Sequence, residues 1–259
     1  MQQHKLRDTD EIDRGKAHVK DVRAVVFDMG GTLIEFERAP WNLLQIMEIN
    51  EIYAFLTMRN GKMPSLKLFR DAYRELWAEA RDKSITRNKE LDLPGFLKNL
   101  CARVGLETND ELVEALLQVH YAPVRRELTL YPDSIVTLET LRARGFKIGL
   151  LSNTMWPRKF HEADLDKFGL SRLFDTKFFS SDFPWRKPHP AIFLAALEAL
   201  DVPPANAAYV GDFPERDVVG AKAAGMKAIL KYHPLRELSS TIVPDASIRH
   251  VAELLDLLP

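Results

Sequence analysis

A single cysteine, Cys101, stands among 259 residues, so an intrachain disulfide is excluded and a thiolate zinc cluster lacks its ligands. That scarcity fits a reducing compartment. Net charge is nearly absent too: 36 basic residues face 37 acidic ones, a formal −1, and no global field draws the chain to nucleic acid or anionic lipid. No apolar run reaches the roughly 18 residues that suggest a membrane span. The first twenty residues, MQQHKLRDTDEIDRGKAHVK, are polar, mixed in charge and without an apolar stretch of signal-peptide length. Internal repeats and low-complexity tracts are lacking as well. These absences predict a cytoplasmic monomer or homodimer with no nucleic-acid or membrane partner, preceded by a polar extension over residues 1–20. With 46% hydrophobic residues, the remainder can build one large domain or two modest ones.

The pattern that is present changes character twice. VRAVVFD (22–28) is a short apolar, β-branched run ending in a polar loop, as a buried parallel strand should. From about Pro40 to His120 the periodicity is helical: WNLLQIMEINEIYAFL, LKLFRDAYRELWAEA, LPGFLKNLCARV and NDELVEALLQVH place apolar residues three and four apart. Asn109, followed by Glu111 and Glu114 and by the apolar Leu112 and Leu116, reads as a capped helix start. After Tyr131 and Pro132, helices and strands alternate: the strands FKIGLLSN, TKFFSS, AAYVGD and KAILKY are separated by single helices, and VAELLDLL closes the series. Such alternation predicts an α/β fold, a doubly wound, Rossmann-like parallel sheet with right-handed crossovers. The sheet core is expected over 21–37 and 125–259, interrupted after its first strand by an all-helical insertion over 38–124.

In sheets of this kind the chemistry collects beyond the carboxyl ends of the strands. Those ends carry Asp28, then Ser152 and Asn153, then Asp212, with Lys187 on the loop after TKFFSS. Carboxylates, a lysine and a hydroxyl at one mouth suit metal-assisted phosphoryl transfer. Asp28 can attack phosphorus and split one hard hydrolysis into two easier steps. Asp28, Asp212 and Asp217 offer the oxygen ligands that magnesium prefers, and their mutual repulsion calls for such a cation. Lys187 and Ser152 would meet the phosphoryl oxygens. Gly30, Gly31 and Thr32 let the backbone approach a phosphate closely.

The order of these motifs resembles the haloacid dehalogenase-like hydrolases over residues 20 to 258. FDMGGTL (27–33) is similar to that family's first motif, with Asp28 as nucleophile; LLSNT (150–154) to the second, with Ser152; RKPHP (186–190) to the third, with Lys187. VGDFPERD (210–217) followed by VVGAKAAGM is similar to the fourth, whose acids Asp212 and Asp217 hold magnesium. The helical insertion falls where members with a cap between the first and second motifs carry it. The resemblance implies a small phosphorylated substrate, a magnesium ion on Asp28, Asp212, Asp217 and the Gly30 carbonyl, and a phosphoryl group near Gly31, Thr32, Ser152, Asn153 and Lys187.

One position departs from the pattern. The family's phosphatases carry at position 30 an aspartate that protonates the leaving oxygen and later activates water, and glycine can do neither. General acid–base help is worth about 10²–10⁴-fold, so simple alkyl phosphates should suffer most, and acyl, aryl or pyrophosphates least. Three readings follow: a magnesium-dependent phosphohydrolase whose acid comes from the cap, from Glu35 or from the substrate; a hydrolase of a haloacid or phosphonate bond; or a weakened protein that binds a phosphate ligand or a partner. Against the second stand the paired acids Asp212 and Asp217, and the lack of a lysine that stands out in the cap. A rival from another fold is the first phosphate loop of actin-like sugar kinases, which reads aspartate–x–glycine–glycine–threonine. That fold needs a second phosphate loop and an adenosine loop, where this chain has SN, KP and GD in the hydrolase order.

Around the site, Trp156 with Arg158 and Trp185 with Arg186 are candidates for an aromatic, cationic rim that meets the cap and reads the substrate; packing at the core edge is the alternative. Glu215 and Arg216 read as a surface pair. His120, His161, His189 and His233 have no metal-ligand spacing and read as turn or half-buried residues. Trp41 and Trp77 read as cap interior, and Cys101 as packing.

Overall fold

The computed structural model describes residues 19–36, 38–237 and 241–258; most of the polar extension expected over 1–20 lies outside the described residues. Strand β1 (Ala24–Phe27) leads into a two-residue strand β2 (Ile34–Glu35) and then into four helices. These are α1 (Trp41–Asn60), α2 (Leu66–Arg87), α3 (Leu93–Arg103) and α4 (Asp110–Glu127), after which β3 (Thr129–Leu130) returns antiparallel to β2. The inserted helices thus leave and re-enter the sheet domain through a short two-stranded ribbon. The chain then alternates α5 (Ser134–Ala143), β4 (Lys147–Ser152), α6 (Arg158–Lys167), β5 (Thr176–Phe179), α7 (Pro190–Leu200) and β6 (Ala207–Gly211). Last come α8 (Val219–Ala223), β7 (Lys227–Lys231), β8 (Ala246–Ile248) and α9 (Leu254–Leu257).

All six long-sheet strands run parallel in the order β5-β4-β1-β6-β7-β8. Alternation along β1 sends Val25 and Phe27 into one apolar layer and Ala24 and Val26 into the other. Both faces are therefore covered, which is why these strands read as continuous apolar runs. The α/β sheet core with an inserted helical cap is what the alternation of patterns predicts. Three elements escaped that reading: β2 and β3 are too short for a periodicity, and β8 is a solvent-facing edge of three residues.

Local chemistry explains the helix ends. Asn109 accepts from the Leu112 amide at 2.8 Å and caps α4, as expected, and Ser65 and Asp92 do the same for α2 and α3. Gly61 ends α1 in the left-handed region at φ 67°. The segment after β6 was expected as a plain helix, but Pro214–Val218 forms a wide π turn before α8 begins. The reason is Asp217, whose Oδ2 accepts from the Phe213 amide at 2.9 Å and whose carboxylate lies where a Cβ on Gly211 would fall. A wider turn aims that carboxylate back under the end of β6.

Within the insertion α1 packs on α4, α2 on α3 and α3 on α4. Trp77 is half-buried and stacks on Tyr73, whereas Trp41 is exposed at the start of α1 and belongs to no helix interior. Cys101 is fully buried, and burial pushes its thiol up to about 11. Of the histidines expected at turns or half-buried, His189 is half-buried and caps α7 by accepting from the Ala191 amide, and His233, though buried, accepts from the Leu235 amide in a turn. His120 and His161 differ, being fully buried. No described helix is long and apolar enough to cross a membrane.

Two polar chains fasten α4 to the sheet domain. The Trp156 indole donates to His120 Nδ1 at 3.2 Å, so the His120 proton sits on Nε2 and donates to the Tyr73 hydroxyl, also 3.2 Å. The next residue, Tyr121, donates to Asp164 Oδ2 and accepts from His161 Nδ1, whose Nε2 accepts from the Thr154 hydroxyl. Burial drives His120 down to about 3 and Glu48, 3.9 Å away, up to about 8. Their approach is thus a contact between neutral groups.

Glu48 supplies a pH test. Its folded value of about 8 lies above the ordinary 4.5, so the folded state binds the extra proton between those limits. The stability this contributes is present below pH 4.5 and is lost as pH rises towards 8. Glu48→Gln removes the dependence, and its unfolding free energy should gain on wild type by about 2–4 kcal/mol between pH 5 and pH 8. Urea unfolding of both proteins at the two pH values reads this, and an unchanged difference would rule it out.

Candidate active site

Beyond the carboxyl ends of β1, β4 and β6, where the strand order reverses, a cleft of about 130 Å³ opens. Asp28, Asp212 and Asp217 line it, all buried, and one ligand oxygen of each lies within 4.8 Å of the others. Two full charges at that separation repel by about 3 kcal/mol even at an effective dielectric of 20. Cations offset this repulsion. Lys187 Nζ stands 2.9 Å from Asp28 Oδ1 and 2.7 Å from Asp217 Oδ1, and Arg236 Nε donates to Asp212 Oδ2 at 2.8 Å.

The charges explain the acidities. Burial pushes the Asp28 carboxyl above its usual range; Lys187 opposes this and Asp217 adds to it. Burial and then the charges of Asp28 and Asp217 raise Asp212 to about 7, against the pull of Arg236 and His233. For Lys187 burial works against the ammonium, but the carboxylates of Asp217 and Asp28 outweigh it and hold its pKa above the ordinary value. Three hard oxygen donors whose crowding is still unfavourable fit a divalent cation such as magnesium. Such an ion would replace part of what Lys187 and Arg236 now offset.

Each part of this arrangement has a local cause. Lys187 reaches the acids because Asn153 grips its backbone from both sides, accepting from Lys187 N at 2.9 Å and donating to Lys187 O at 3.0 Å. The ammonium also donates to the Tyr209 hydroxyl at 2.6 Å, which donates on to Leu151 O. Gly31 has φ 70°, and a Cβ there would lie 2.4 Å from Asp212 Oδ2. No other residue fits at that position while Asp212 stays where it is. Lys231 donates to Gly31 O at 2.9 Å and fixes the loop from below.

Gly30 also lines the cleft, and a Cβ on it would meet Phe36 Cδ2 at 3.2 Å. A side chain at position 30 would therefore press on the Phe36 ring, which would have to give by a few tenths of an ångström. Glu35, the alternative acid, does not line the cleft; it accepts from Tyr131 Oη at 2.6 Å and lies 3.1 Å from His233 Nε2.

Of the residues singled out from the sequence, Asp28, Gly30, Gly31, Ser152, Asn153, Lys187, Asp212 and Asp217 line one cleft. Thr32 does not: it is fully buried, and its hydroxyl has no hydrogen-bond partner among the described residues. The amide of Asn153 is engaged with Lys187 and positions that loop at the cleft. The expected rim is not formed. Trp156 lines the cleft as a buried wall tied to His120. Trp185 is exposed and stacks on His189, Arg158 pairs with Asp182 in a neighbouring cleft, and Arg186 bonds to Ser84 and Glu90 of the insertion. Two arginines escaped the reading. Arg216, taken for half of a surface pair, lines the cleft, and so does Arg236 from the loop after β7. Met29, Phe36, Trp41, Thr154, His161 and Phe213 complete its walls. A basic residue one place before Asp217 carried a signal; Arg236, on a loop after an inconspicuous strand, carried none.

Comparison with known proteins agrees with this geometry. A family model described as haloacid dehalogenase-like hydrolase matches residues 22–225. The chain is 30% identical to the glyceraldehyde 3-phosphate phosphatase of Methanopyrus kandleri over 240 residues, 91% of this chain and 97% of that one. It is 33% identical to the phosphoserine phosphatase of Thermus thermophilus over 201 residues, 72% of this chain and 80% of the other. Among solved structures, an HAD phosphatase from Thermococcus onnurineus matches with a TM-score of 0.65 at 29% identity, over 91% of this chain and 97% of that one. A 2-haloacid dehalogenase from Pseudomonas syringae matches with a TM-score of 0.70 at 24% identity over the same shares, a likeness of fold alone. With its six-stranded parallel sheet, inserted helices and acid-lined cleft, the chain belongs to the haloacid dehalogenase-like hydrolases.

Proposed function

We propose that this hydrolase is a magnesium-dependent phosphohydrolase of small phosphorylated metabolites, working through an aspartyl-phosphate on Asp28. The observation that carries the reading is the convergence of Asp28, Asp212 and Asp217 with Lys187 on one buried cleft. Its relatives named as phosphatases support it, and the small cleft limits the substrate's size. Bound by Asp28, Asp212 and Asp217 together with the Gly30 carbonyl, magnesium would neutralise the acid cluster and polarise the phosphoryl group.

The chain's own residues do the rest. A carboxylate oxygen of Asp28 attacks phosphorus, the new O–P bond forms, and the bond to the leaving oxygen breaks. Lys187 and Ser152 hold the phosphoryl oxygens as charge spreads over them. Water then attacks the phosphorus, the Asp28–phosphorus bond breaks, and carboxylate and inorganic phosphate are regenerated. Position 30 supplies no proton to the leaving oxygen, and Phe36 keeps the space beside it apolar. The leaving group must therefore depart as a stable anion or take its proton from solvent. This favours acyl, aryl and pyrophosphate leaving groups over alkoxides.

Hydrolysis of acetyl phosphate and p-nitrophenyl phosphate, in magnesium and in EDTA, tests the reading. Turnover should require magnesium and fall by a factor on the order of 10³ or more in Asp28→Asn. Activity that survives EDTA, or that Asp28→Asn leaves intact, would sink the proposal and turn attention to haloacids. A second expectation concerns the missing acid. Gly30→Asp alone should gain little, because its side chain would grow into Phe36, whereas Gly30→Asp with Phe36→Leu should raise p-nitrophenyl phosphate turnover by roughly 10²-fold relative to acetyl phosphate. Equal rates for the two substrates in the double variant would show that proton donation is not what position 30 lacks.

A further inference from the structure

Among the described residues, Arg216 is the cation of the cleft that has no direct ion-pair partner. Lys187 is paired with Asp28 and Asp217, and Arg236 with Asp212. Outside the cleft, Arg186 and Arg158 have Glu90 and Asp182. The Arg216 guanidinium, half-buried on the cleft wall, has no hydrogen-bond acceptor and no ion-pair partner among the described residues. It carries five N–H donors in a planar fork. Burial lowers its pKa, the charge of Arg186 adds to the effect, and Asp217, Glu90 and Asp28 only partly oppose them.

It rests on an aromatic ring. The guanidinium carbon lies 4.2 Å from the centroid of the Phe213 ring, whose backbone amide donates to the Asp217 carboxylate. The ring contact leaves the N–H donors without an acceptor among the described residues, and a guanidinium fork matches a carboxylate in two parallel hydrogen bonds. The adjacent Asp217 is engaged elsewhere, with Oδ1 2.7 Å from Lys187 Nζ and Oδ2 accepting from the Phe213 amide, and no ion pair joins it to the Arg216 guanidinium.

We infer that Arg216 binds a second anionic group, a carboxylate, on the leaving-group side of the substrate. The enzyme would then select short-chain phosphorylated acids over uncharged phosphate esters of the same length. The inference deepens the phosphohydrolase reading and rests on it for the position of the phosphoryl group. Arg216 and the three acids line the same cleft of about 130 Å³, so both anions of the substrate lie within one small site.

Binding tests this without turnover. 3-Phosphonopropionate and propylphosphonate resist hydrolysis at the C–P bond and differ only in that one ends in a carboxylate. Calorimetric titration in magnesium should give the carboxylate-bearing ligand an advantage of about tenfold or more with wild type. The ratio should fall to near one in Arg216→Met, with part of it restored in Arg216→Lys. A wild-type ratio near one overturns the inference, and so does a ratio that survives Arg216→Met. Equal weakening of both ligands in Arg216→Met also overturns it, because that places the guanidinium on the phosphoryl group. A protein that binds propylphosphonate but hydrolyses no phosphate fails the phosphohydrolase reading alone. One that binds neither ligand fails both.

Discussion

Three carboxylates can share a few ångströms of protein interior only when cations stand among them, and the ammonium of Lys187 is the cation on which this structure depends. It lies between Asp28 and Asp217 at 2.9 and 2.7 Å. A fully buried lysine is costly on its own, because desolvation disfavours its charge. Here each charge makes the other tolerable. Breaking such a set from one side costs about 3–5 kcal/mol, since it strands the remaining charge in the interior. Much of the surrounding fold serves to keep this ammonium in place. Asn153 holds its backbone, Tyr209 holds its nitrogen, and the π turn brings Asp217 beneath it. Gly31 leaves room for Asp212 to complete the group.

The same interaction shows which parts of the molecule are legible in its sequence. The sheet was legible because both its faces are buried, so every strand is a plain apolar run. The acids and Lys187 were legible because parallel strands deliver their last residues to a common edge. Side-chain partners were not legible. Tyr209 looks like any strand aromatic until its hydroxyl is seen between Lys187 and Leu151. Trp156, Trp185, Arg158 and Arg186 share loops with the second and third family motifs, and sequence proximity placed all four at a rim. Their side chains instead follow the nearest partner: Arg186 turns to Glu90 and Arg158 to Asp182. Arg216 went the other way, from a surface position on paper to the cleft wall. A π turn shifts the facing of every residue in it, and no periodicity announces one.

Gly30 takes on a definite meaning once Phe36 is placed. A glycine in a phosphate loop is commonly a concession to close backbone approach, which would leave the neighbouring space open to water or substrate. Here a ring stands 3.2 Å from where the Cβ would be. A side chain at position 30 would press on that ring from its first atom, so glycine and Phe36 fit together as one local solution. His161 does not replace the acid. Although it lines the cleft, its Nε2 accepts from Thr154, its Nδ1 donates to Tyr121, and burial drives its pKa to about 3. A neutral imidazole with both nitrogens engaged neither donates to a leaving oxygen nor activates water.

The position of the insertion bears on where selectivity resides. In an enzyme with a helical cap, the cap is the natural place to look for residues that recognise the substrate. Among the described residues, however, the inserted helices contribute only Trp41 to the cleft wall. On its inner side α4 is fastened to the sheet domain through two consecutive residues, His120 to Trp156 and Tyr121 to Asp164 and His161. These buried polar chains are satisfied only while the two parts stay together, and parting them would expose or strand every member. An apolar wall at Trp41 and Phe36 can exclude water and limit size, but it cannot distinguish one anion from another. Charge recognition has to come from the sheet domain, where Arg216 and Arg236 flank Phe213 at 4.2 and 4.8 Å. Chemistry and charge selection thus share the π turn after β6, which carries Asp217 on its inner face and Arg216 on the wall of the same cleft.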